Sequence, residues 1–261
     1  MIKNIKNFDN WKCRCSALGN VVTASGNLTD SAKTYLLETF IGETENVTKD
    51  IYGKALEKGI ACEEDGFKML NKALYPGKFL RSVKMEIEQG TRKEPSNKFI
   101  KGTADTIQRG IIYDIKNAFD RFTFGKAKMT HLYEWQLRGY MMLYKKKQSR
   151  LFYCLNNMPE YMIAEEQKKM FYTKRKWLSM EDTGYIAACD ELAAFHNYDN
   201  KPIEEKFKIW HLDWRKEDDE KIKDCISNAR TFLNQILKER KEQILANQRM
   251  MIKAKKKKNT V

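Results

Sequence analysis

The sequence contains no long hydrophobic run. It has no stretch of about 18 consecutive apolar residues, the length that a membrane-crossing helix needs. Residues 1–10 lack the apolar core of a secretory signal, and no internal repeat is present. We therefore expect a cytoplasmic protein built around one globular core.

Cysteine is too scattered for a cross-linked or metal-bound scaffold. The six cysteines are Cys13, Cys15, Cys62, Cys154, Cys189 and Cys225. They form no pair of Cys-x-x-Cys hooks, and Cys13 with Cys15 does not supply the four ligands of a structural zinc or iron–sulfur site. We interpret the cysteines as packing residues that stay reduced.

Positive charge is in excess. The 49 Lys and Arg against 35 Asp and Glu give a formal net charge of +14. A basic protein attracts polyanions through electrostatic steering and counterion release, so nucleic acid is the leading candidate partner. Charge alone does not decide this, because many cytosolic proteins are basic and the lysines at 255–258 are also typical of a solvated tail.

Hydrophobic periodicity predicts a chain of mixed helices and strands. Apolar residues recur at helical spacing in residues 28–39, 49–74, 130–144, 180–195 and 217–248. Strand-like stretches occupy residues 80–88, 98–105, 111–116, 150–155 and 206–214. The first three strands are predicted to form an antiparallel meander, and Thr29 or Asp30 is expected to cap the first helix.

The segment around Arg109 and Gly110 allows a strand pairing to be worked out. If these residues form a two-residue hairpin turn, counting outward places Asp105 opposite Asp114. Two opposed carboxylates repel unless a cation lies between them. Lys116 emerges on the face of Asp114, because side chains alternate along a strand. The pattern also fits a solvated face on which Lys116 neutralises Asp114, and the register slips if the turn is longer.

A third carboxylate falls on the predicted helix at 49–74. At about 100° per residue, Glu63 lies in the middle of the apolar stripe, between Leu56 and Leu70. A buried carboxylate takes a metal ion, a proton or a basic partner, so a core Lys or Arg is the alternative. With the two hairpin acids, Glu63 would complete an oxygen-rich site suited to Mg²⁺ or Mn²⁺. Such a site supports phosphodiester hydrolysis, with Lys116 holding the attacking water or offsetting negative charge.

Four short motifs follow one another along the chain. They are residues 58–63 (KGIACE), 102–105 (GTAD), 114–116 (DIK), and Gln136 with Tyr140 (QxxxY). Together they resemble the motifs of the PD-(D/E)XK nuclease superfamily, and most of all its lambda-type, YqaJ-like viral exonucleases. Residues 11–19 are similar to the basic, hydroxyl-bearing N-terminal segment of that family. The resemblance covers roughly residues 11–155, and Asp114 stands where the lambda-type enzymes have Glu.

The resemblance implies an α/β, restriction-endonuclease-like core with a mixed central β-sheet flanked by helices, and two Mg²⁺ or Mn²⁺ ions. The implied site consists of the ligands Glu63, Asp105 and Asp114, the backbone carbonyl of Ile115, and the catalytic amine of Lys116. Gln136 and Tyr140 would support the active site or contact DNA, although helix packing is an alternative for Tyr140. Arg14 and Ser16 would help to bind a 5′ terminal phosphate.

The expected organisation is a nuclease-like domain at 1–215, a long helix at 216–250 and a basic flexible tail at 251–261. By resemblance, the activity is exonuclease cleavage of linear duplex DNA ends during phage-type recombination, in the host cytoplasm if the protein is viral. Expected partners are DNA ends, a single-strand annealing or single-strand-binding protein, and further copies of the chain. A structure-specific or nicking endonuclease, and a DNA-binding protein without turnover, remain as alternatives.

Overall fold

The computed structural model describes residues 5–23, 25–49, 52–77 and 94–258, with only the backbone of 253–258. Its strands are Cys13–Arg14 (β1), Ile100–Lys101 (β2), Thr106–Gln108 (β3), Ile111–Asn117 (β4), Gln148–Cys154 (β5) and Phe207–Asp213 (β6). Its α-helices are Asp30–Glu45 (α1), Lys54–Ala61 (α2), Glu63–Leu74 (α3), Arg121–Lys126 (α4), His131–Tyr144 (α5), Glu160–Lys174 (α6), Thr183–Phe195 (α7) and Lys216–Lys258 (α8). Short 3₁₀ helices span Cys15–Asn20 and Ile203–Glu205. The predicted strand at 80–88 lies outside the described residues.

A mixed four-stranded sheet in the order β3-β4-β5-β6 forms the centre of the molecule. The outer strands β3 and β6 run antiparallel to their neighbours, whereas β4 and β5 are parallel. Parallel neighbours need a crossover connection, which α4 and α5 supply here. A separate parallel pair is formed by β1 and β2. The predicted α/β architecture with a mixed central sheet is confirmed.

Helices cover both faces of the sheet. On one face, Ile112 of β4 packs into the main core together with apolar residues of α1, α5 and α8. On the other face, Tyr113 belongs to a second cluster with Leu70 of α3. Because side chains alternate along a strand, Asp114 and Lys116 point to the same face as Ile112, toward α5.

The predicted hairpin turn at residues 109–110 is confirmed. Both residues have positive φ, 50° and 81°, as the preferred two-residue hairpin turn requires. The pairing has Thr106 opposite Tyr113, which is the predicted register. Asp105 directly precedes β3 and lies outside the paired residues, so its predicted pairing with Asp114 stays a prediction.

The single helix predicted over residues 49–74 is wrong, because two helices form and meet at Cys62. Glycine weakens a helix interior, and Gly59 lies near the end of α2. The side-chain amide of Asn117 lies 3.5 Å from the Gly59 carbonyl and 3.1 Å from the Cys62 carbonyl, and donates to both. As a result, Leu56 and Ile60 of α2 are 48% and 62% exposed instead of facing the core.

The predicted meander is wrong in its second strand. Residues 98–105 pair with β1 at Ile100–Lys101 and not with the hairpin. Strand β2 ends before Gly102, which has a φ of 156° and packs so closely on Cys15 that a Cβ there would lie 3.1 Å from the Cys15 Cβ. The strand beside β4 is therefore β3.

Local sequence signals predict helix α1 but not helix α6. The Thr29 hydroxyl accepts a hydrogen bond from the N–H of Ala32 at 3.3 Å, so the predicted cap of α1 is confirmed. The helix continues to Glu45, past the predicted end. In contrast, α6 has no counterpart among the predicted elements, because it buries little besides Met162 and shows no apolar stripe.

The C-terminal helix α8 is longer than predicted. Its first half lies in the main core through residues that include Ile222, Ala229 and Leu233. It continues to Lys258, so residues 251–258 of the segment predicted as a flexible tail are helical. The division into domain, helix and tail otherwise stays a prediction. None of the described helices has the length and apolarity needed to cross a bilayer.

Candidate active site

A cleft of about 700 Å³ opens between α2, α3, α5 and the end of β4. The nine residues that the sequence analysis assigns to the site all line it, and they are Arg14, Ser16, Glu63, Asp105, Asp114, Ile115, Lys116, Gln136 and Tyr140. Apolar side chains of α2 and tyrosines of α5 and β5 complete its walls. The fold thus brings together residues from five separate elements and segments.

Asp114 is a buried residue of the cleft, with 1% of its surface exposed. Its Oδ1 accepts a hydrogen bond of 2.8 Å from the Nε2 of Gln136. Its Oδ2 forms an ion pair with the Nζ of Lys116 at 2.8 Å. The angles of this contact are not those of a hydrogen bond, and no other described residue donates to Oδ2. A metal ion that binds this oxygen would therefore compete with the Lys116 ammonium for it.

Asp105 reaches the same point from the other strand of the hairpin. Its Oδ2 accepts a hydrogen bond of 2.7 Å from the backbone N–H of Ile115, which fixes the carboxyl beside β4. Burial raises the pKa of Asp105 to about 7, and the charge of Asp114 adds to this effect, against the lowering by Lys116. The two acids therefore favour uptake of a proton or a cation.

Lys116 completes this group two residues after Asp114. Burial alone would lower the pKa of its ammonium, but the carboxylates of Asp114 and Asp105 outweigh burial and raise the pKa above its usual value. The ring of Tyr133 on α5 lies 5.9 Å from its Nζ. Lys116 therefore carries a fixed positive charge at neutral pH.

Helix α5 connects to both acidic segments through polar side chains. Besides its bond to Asp114, Gln136 donates to the hydroxyl of Tyr140 at 3.1 Å. One turn later, the hydroxyl of Tyr144 accepts a hydrogen bond of 3.2 Å from the N–H of Ala104, directly before the first acid. Tyr140 is itself 4% exposed, so its two expected roles, packing and support of the site, coincide.

Close packing on α5 brings the N-terminal segment to the cleft. At Gly139, a Cβ would lie 2.9 Å from the Cδ2 of Leu18, so only glycine allows the 3₁₀ helix to come this near. The same helix carries Ser16, and Arg14 directly precedes it. The Arg14 side chain is 59% exposed and lies 3.5 Å from Glu94. A guanidinium and a hydroxyl thus stand at one edge of the cleft.

Glu63 lines the cleft. Its helical spacing predicts a buried side chain, and this prediction is wrong. Glu63 occupies the first turn of α3 and is exposed, because the break at Cys62 ends the predicted stripe. Helix α3 packs on β4 through Gly66, where a Cβ would lie 2.7 Å from the Cγ2 of Ile115. The charge of Glu63 raises the pKa of Asp105. Within residues 5–23, 25–49, 52–77 and 94–258, no three acidic, His or Cys side chains already form a metal-binding group.

Solved structures that share this fold include exonucleases. The phage-related exonuclease from Haemophilus somnus 129PT matches with a TM-score of 0.66 and 21% identity, over 88% of this chain and 96% of that chain. The chain has an exonuclease fold. The alkaline exonuclease LHK-Exo from Laribacter hongkongensis matches with a TM-score of 0.55 and 11% identity, over 91% and 95% of the two chains. Its complex with dAMP gives 0.56 at the same identity and coverage.

No protein-family model matches the chain, and no curated protein matches it. At such low identities the solved structures establish the fold alone. They confirm the fold that the PD-(D/E)XK, viral-exonuclease resemblance implies.

The donor set in this exonuclease fold suits a hard divalent cation. Asp105 and Asp114 present carboxylate oxygens, and the Oδ2 of Asp114 already lies 2.8 Å from one cation, the ammonium of Lys116. The raised pKa of Asp105 reflects, after burial, a repulsion that a cation would relieve. Carboxylate oxygens suit Mg²⁺ or Mn²⁺ better than zinc. The residues present therefore fit the ions that the resemblance implies.

Two further residues of the cleft are absent from the sequence analysis. Tyr133 faces Lys116 from α5 and lies three residues before Gln136, so helical spacing would have placed it on the same face. Asn117 directly follows Lys116 and binds the Cys62 carbonyl, 55 positions away. No local pattern marks Asn117, because its role depends on tertiary structure.

Proposed function

We propose that this chain is a divalent-metal-dependent deoxyribonuclease that hydrolyses linear duplex DNA from an end. The observation that carries the proposal is the convergence of two acids and one amine on β4. The Asp105 carboxyl accepts a hydrogen bond of 2.7 Å from the N–H of Ile115, next to Asp114, and the ammonium of Lys116 lies 2.8 Å from a buried Asp114 oxygen. The fold shared with exonucleases supports this chemistry. The net charge of +14 supports a nucleic-acid substrate.

The proposed cofactor is Mg²⁺ or Mn²⁺, with two ions implied by the resemblance. Asp105 and Asp114 would hold them, with Glu63 and the backbone carbonyl of Ile115 as further oxygen ligands. When bound, the ions would supply an activated water and would offset negative charge on the phosphate. Glu63 comes from α3 and not from the hairpin, so its contribution depends on how α3 is placed.

The side chains around the acids have distinct tasks in this proposal. Because its pKa is raised, Lys116 stays protonated and orients the water or stabilises developing negative charge, but does not act as the general base. Gln136 holds Asp114 by Oδ1, so a metal ion would bind through Oδ2, where it would compete with the Lys116 ammonium. Tyr140 in turn accepts from Gln136 and fixes the direction of its amide.

Arg14 and Ser16 are proposed to bind a terminal phosphate. An exposed guanidinium forms two parallel hydrogen bonds to phosphate oxygens, and a hydroxyl adds a third donor. Both residues line the cleft that holds the acids. A protein with this fold has been solved with dAMP, which supports a deoxynucleotide as the class of ligand.

The test compares linear, nicked and closed-circular duplex DNA with purified protein and Mg²⁺. We expect the linear duplex to shorten from its ends and the closed circle to survive, with cleavage lost in Asp114→Asn and reduced about a hundredfold or more in Lys116→Ala. Cutting of closed circles would instead indicate a structure-specific or nicking endonuclease. DNA binding without cleavage in Mg²⁺ or Mn²⁺ would indicate a non-catalytic DNA-binding protein.

Protein partners belong to the same proposal. A single-strand annealing or single-strand-binding protein would take over the strand that an exonuclease exposes, and further copies of this chain would enclose the DNA. Light scattering of the purified chain tests the second point, and labelling either strand end in the cleavage assay reveals the polarity.

A further inference from the structure

A buried lysine of α2 has no role in the proposed chemistry. Lys58 is completely buried and lies five residues before Glu63. Its Nζ donates to two backbone carbonyls, those of Phe119 at 2.9 Å and Asn156 at 2.7 Å. Burial lowers the pKa of this amine to about 8, which shows that an ammonium is held at an unfavourable place.

The two carbonyls follow the two central strands. Phe119 lies two residues past the end of β4, and Asn156 lies two residues past the end of β5. Lys58 therefore fastens the middle of α2 to the ends of both strands. One of these strands, β4, carries Asp114 and Lys116.

A second set of bonds fastens the break between α2 and α3. Asn117, the last residue of β4, donates from Nδ2 to the carbonyl of Cys62 at 3.1 Å. Its Oδ1 accepts a hydrogen bond of 2.7 Å from the Nδ2 of Asn156. Cys62 directly precedes Glu63. We refer to Lys58, Asn117 and Asn156 as the brace.

We propose that the brace positions Glu63 against Asp105 and Asp114, and that it thereby sets the affinity of the site for a divalent cation. This inference rests on the proposed function. Glu63 belongs to α3, so its distance from the two acids depends on where the α2–α3 break sits on the sheet. The brace holds that break directly.

Small shifts of α3 would change the distance of Glu63, the proposed third ligand, from the two other acids. Among the described residues no three candidate ligands already form a metal-binding group, so the placement of α3 decides whether Glu63 reaches the ion. Lys58 and Asn156 are not among the described residues that line the cleft. They are therefore positioning residues that act through Glu63.

A brace that only stabilised the fold would behave differently. Its loss would lower the free energy of unfolding and would weaken the site equally with or without the Glu63 carboxylate. A brace that positions Glu63 gives an effect that disappears once this carboxylate is removed.

The experiment measures Mn²⁺ binding to the full chain by titration calorimetry, with folding checked by circular dichroism. Lys58→Met keeps the length of the side chain and removes both hydrogen bonds. We expect its Mn²⁺ affinity to fall about tenfold or more, as is typical when residues that orient metal ligands are lost. Lys54→Met is the matched control on the same helix, because the Lys54 amine pairs with Glu166 and not with the brace. It should bind Mn²⁺ as the parent does.

Glu63→Gln decides how the brace acts. In the Glu63→Gln background, Lys58→Met should cause no further loss of Mn²⁺ affinity, whereas Lys58→Arg in the parent should retain part of it. If Lys58→Met does not fold, Asn156→Ala carries the same comparison.

Two results would overturn the inference in different ways. Parental Mn²⁺ affinity in a folded brace variant, or equal losses in both backgrounds, refutes the brace and leaves the nuclease proposal standing. Unchanged Mn²⁺ binding in Asp105→Asn, Asp114→Asn and Glu63→Gln refutes the metal site, and the brace with it.

Discussion

Gln136 holds Asp114 by a single oxygen, through a hydrogen bond of 2.8 Å from its Nε2 to Oδ1. Both side chains are buried, with 6% and 1% of their surface exposed. The other oxygen, Oδ2, is left beside Lys116. The helix α5 therefore controls which carboxylate oxygen is available to a cation.

Replacing Gln136 by Leu should loosen this carboxylate. Leucine preserves most of the volume but leaves Oδ1 of Asp114 buried without its donor, so the free energy of unfolding should fall by about 1–3 kcal/mol. Mn²⁺ affinity should fall about tenfold. Urea unfolding and calorimetric titration measure the two effects.

The control for this prediction is Tyr140→Phe. It removes the hydroxyl that accepts the second bond of Gln136 and leaves the bond to Asp114. The expected cost is about 1 kcal/mol, with Mn²⁺ affinity close to that of the parent. Equal losses of Mn²⁺ affinity in the two variants would show that the direct bond to Asp114 is not the important one.

Local sequence rules were sufficient for the hairpin and for α5. The two-residue turn at 109–110 sets the register of the hairpin, and alternation along β4 puts Asp114 and Lys116 on the same face. These features depend on neighbouring residues alone.

Local rules predict the position of Glu63 incorrectly. A helical wheel assumes that the helix continues, whereas the break at Cys62 is held by Asn117 from a distant strand. The close packing of Gly102, directly after β2, depends in the same way on Cys15, which lies far away in the sequence. Neither contact leaves a periodic signal, so the orientation of α3 and the strand beside β4 required the tertiary structure.

Lys116→Ala should separate metal binding from cleavage. The Lys116 ammonium lies 2.8 Å from the same Asp114 oxygen that we assign to the cation, so its removal takes away a competitor for that oxygen. Cleavage of linear DNA should fall about a hundredfold or more, whereas Mn²⁺ affinity should be unchanged or higher. Asp114→Asn is the comparison and should lose both. A Lys116→Ala protein that no longer binds Mn²⁺ would show that the amine organises the acids and does not act on the substrate.

The raised pKa of Asp105 makes the stability of the metal-free protein depend on pH. Burial and Asp114 raise this pKa to about 7, above about 3.9 for an unfolded aspartate. Its contribution to stability is therefore complete below about pH 4 and is lost as the pH rises through about 7. Asp105→Asn is neutral throughout, so it should be more stable than the parent at about pH 8, with the difference vanishing below about pH 4. Urea unfolding with a chelator present measures this.

The same proton should compete with the metal. A ligating carboxylate must be deprotonated, so Mn²⁺ affinity should fall up to about tenfold per pH unit below about pH 7, where Asp105 gains its proton. The pH dependence should be shallower in Asp105→Asn, which starts from a lower affinity. A parent protein with the same Mn²⁺ affinity at about pH 6 and pH 8 would contradict the assignment of Asp105 as a ligand.

Gly66→Ala should displace α3 from the sheet. The added Cβ would lie 2.7 Å from the Cγ2 of Ile115, nearer than two non-bonded carbons approach. Because Ile115 is β-branched and sits in a central strand, it yields little, and the helix must move. We expect a loss of about 1–3 kcal/mol in the free energy of unfolding.

The helix that moves also carries Glu63, so Gly66→Ala should weaken Mn²⁺ binding as well. Gly59→Ala on α2 is the matched control, since nothing lies within 4 Å of the Cβ it would add. Alanine is favoured over glycine in a helix by roughly 0.5–1 kcal/mol, so this variant should be as stable as the parent or more so. If Gly66→Ala unfolds more easily yet binds Mn²⁺ as the parent does, Glu63 is not held at the site by the contact between α3 and Ile115.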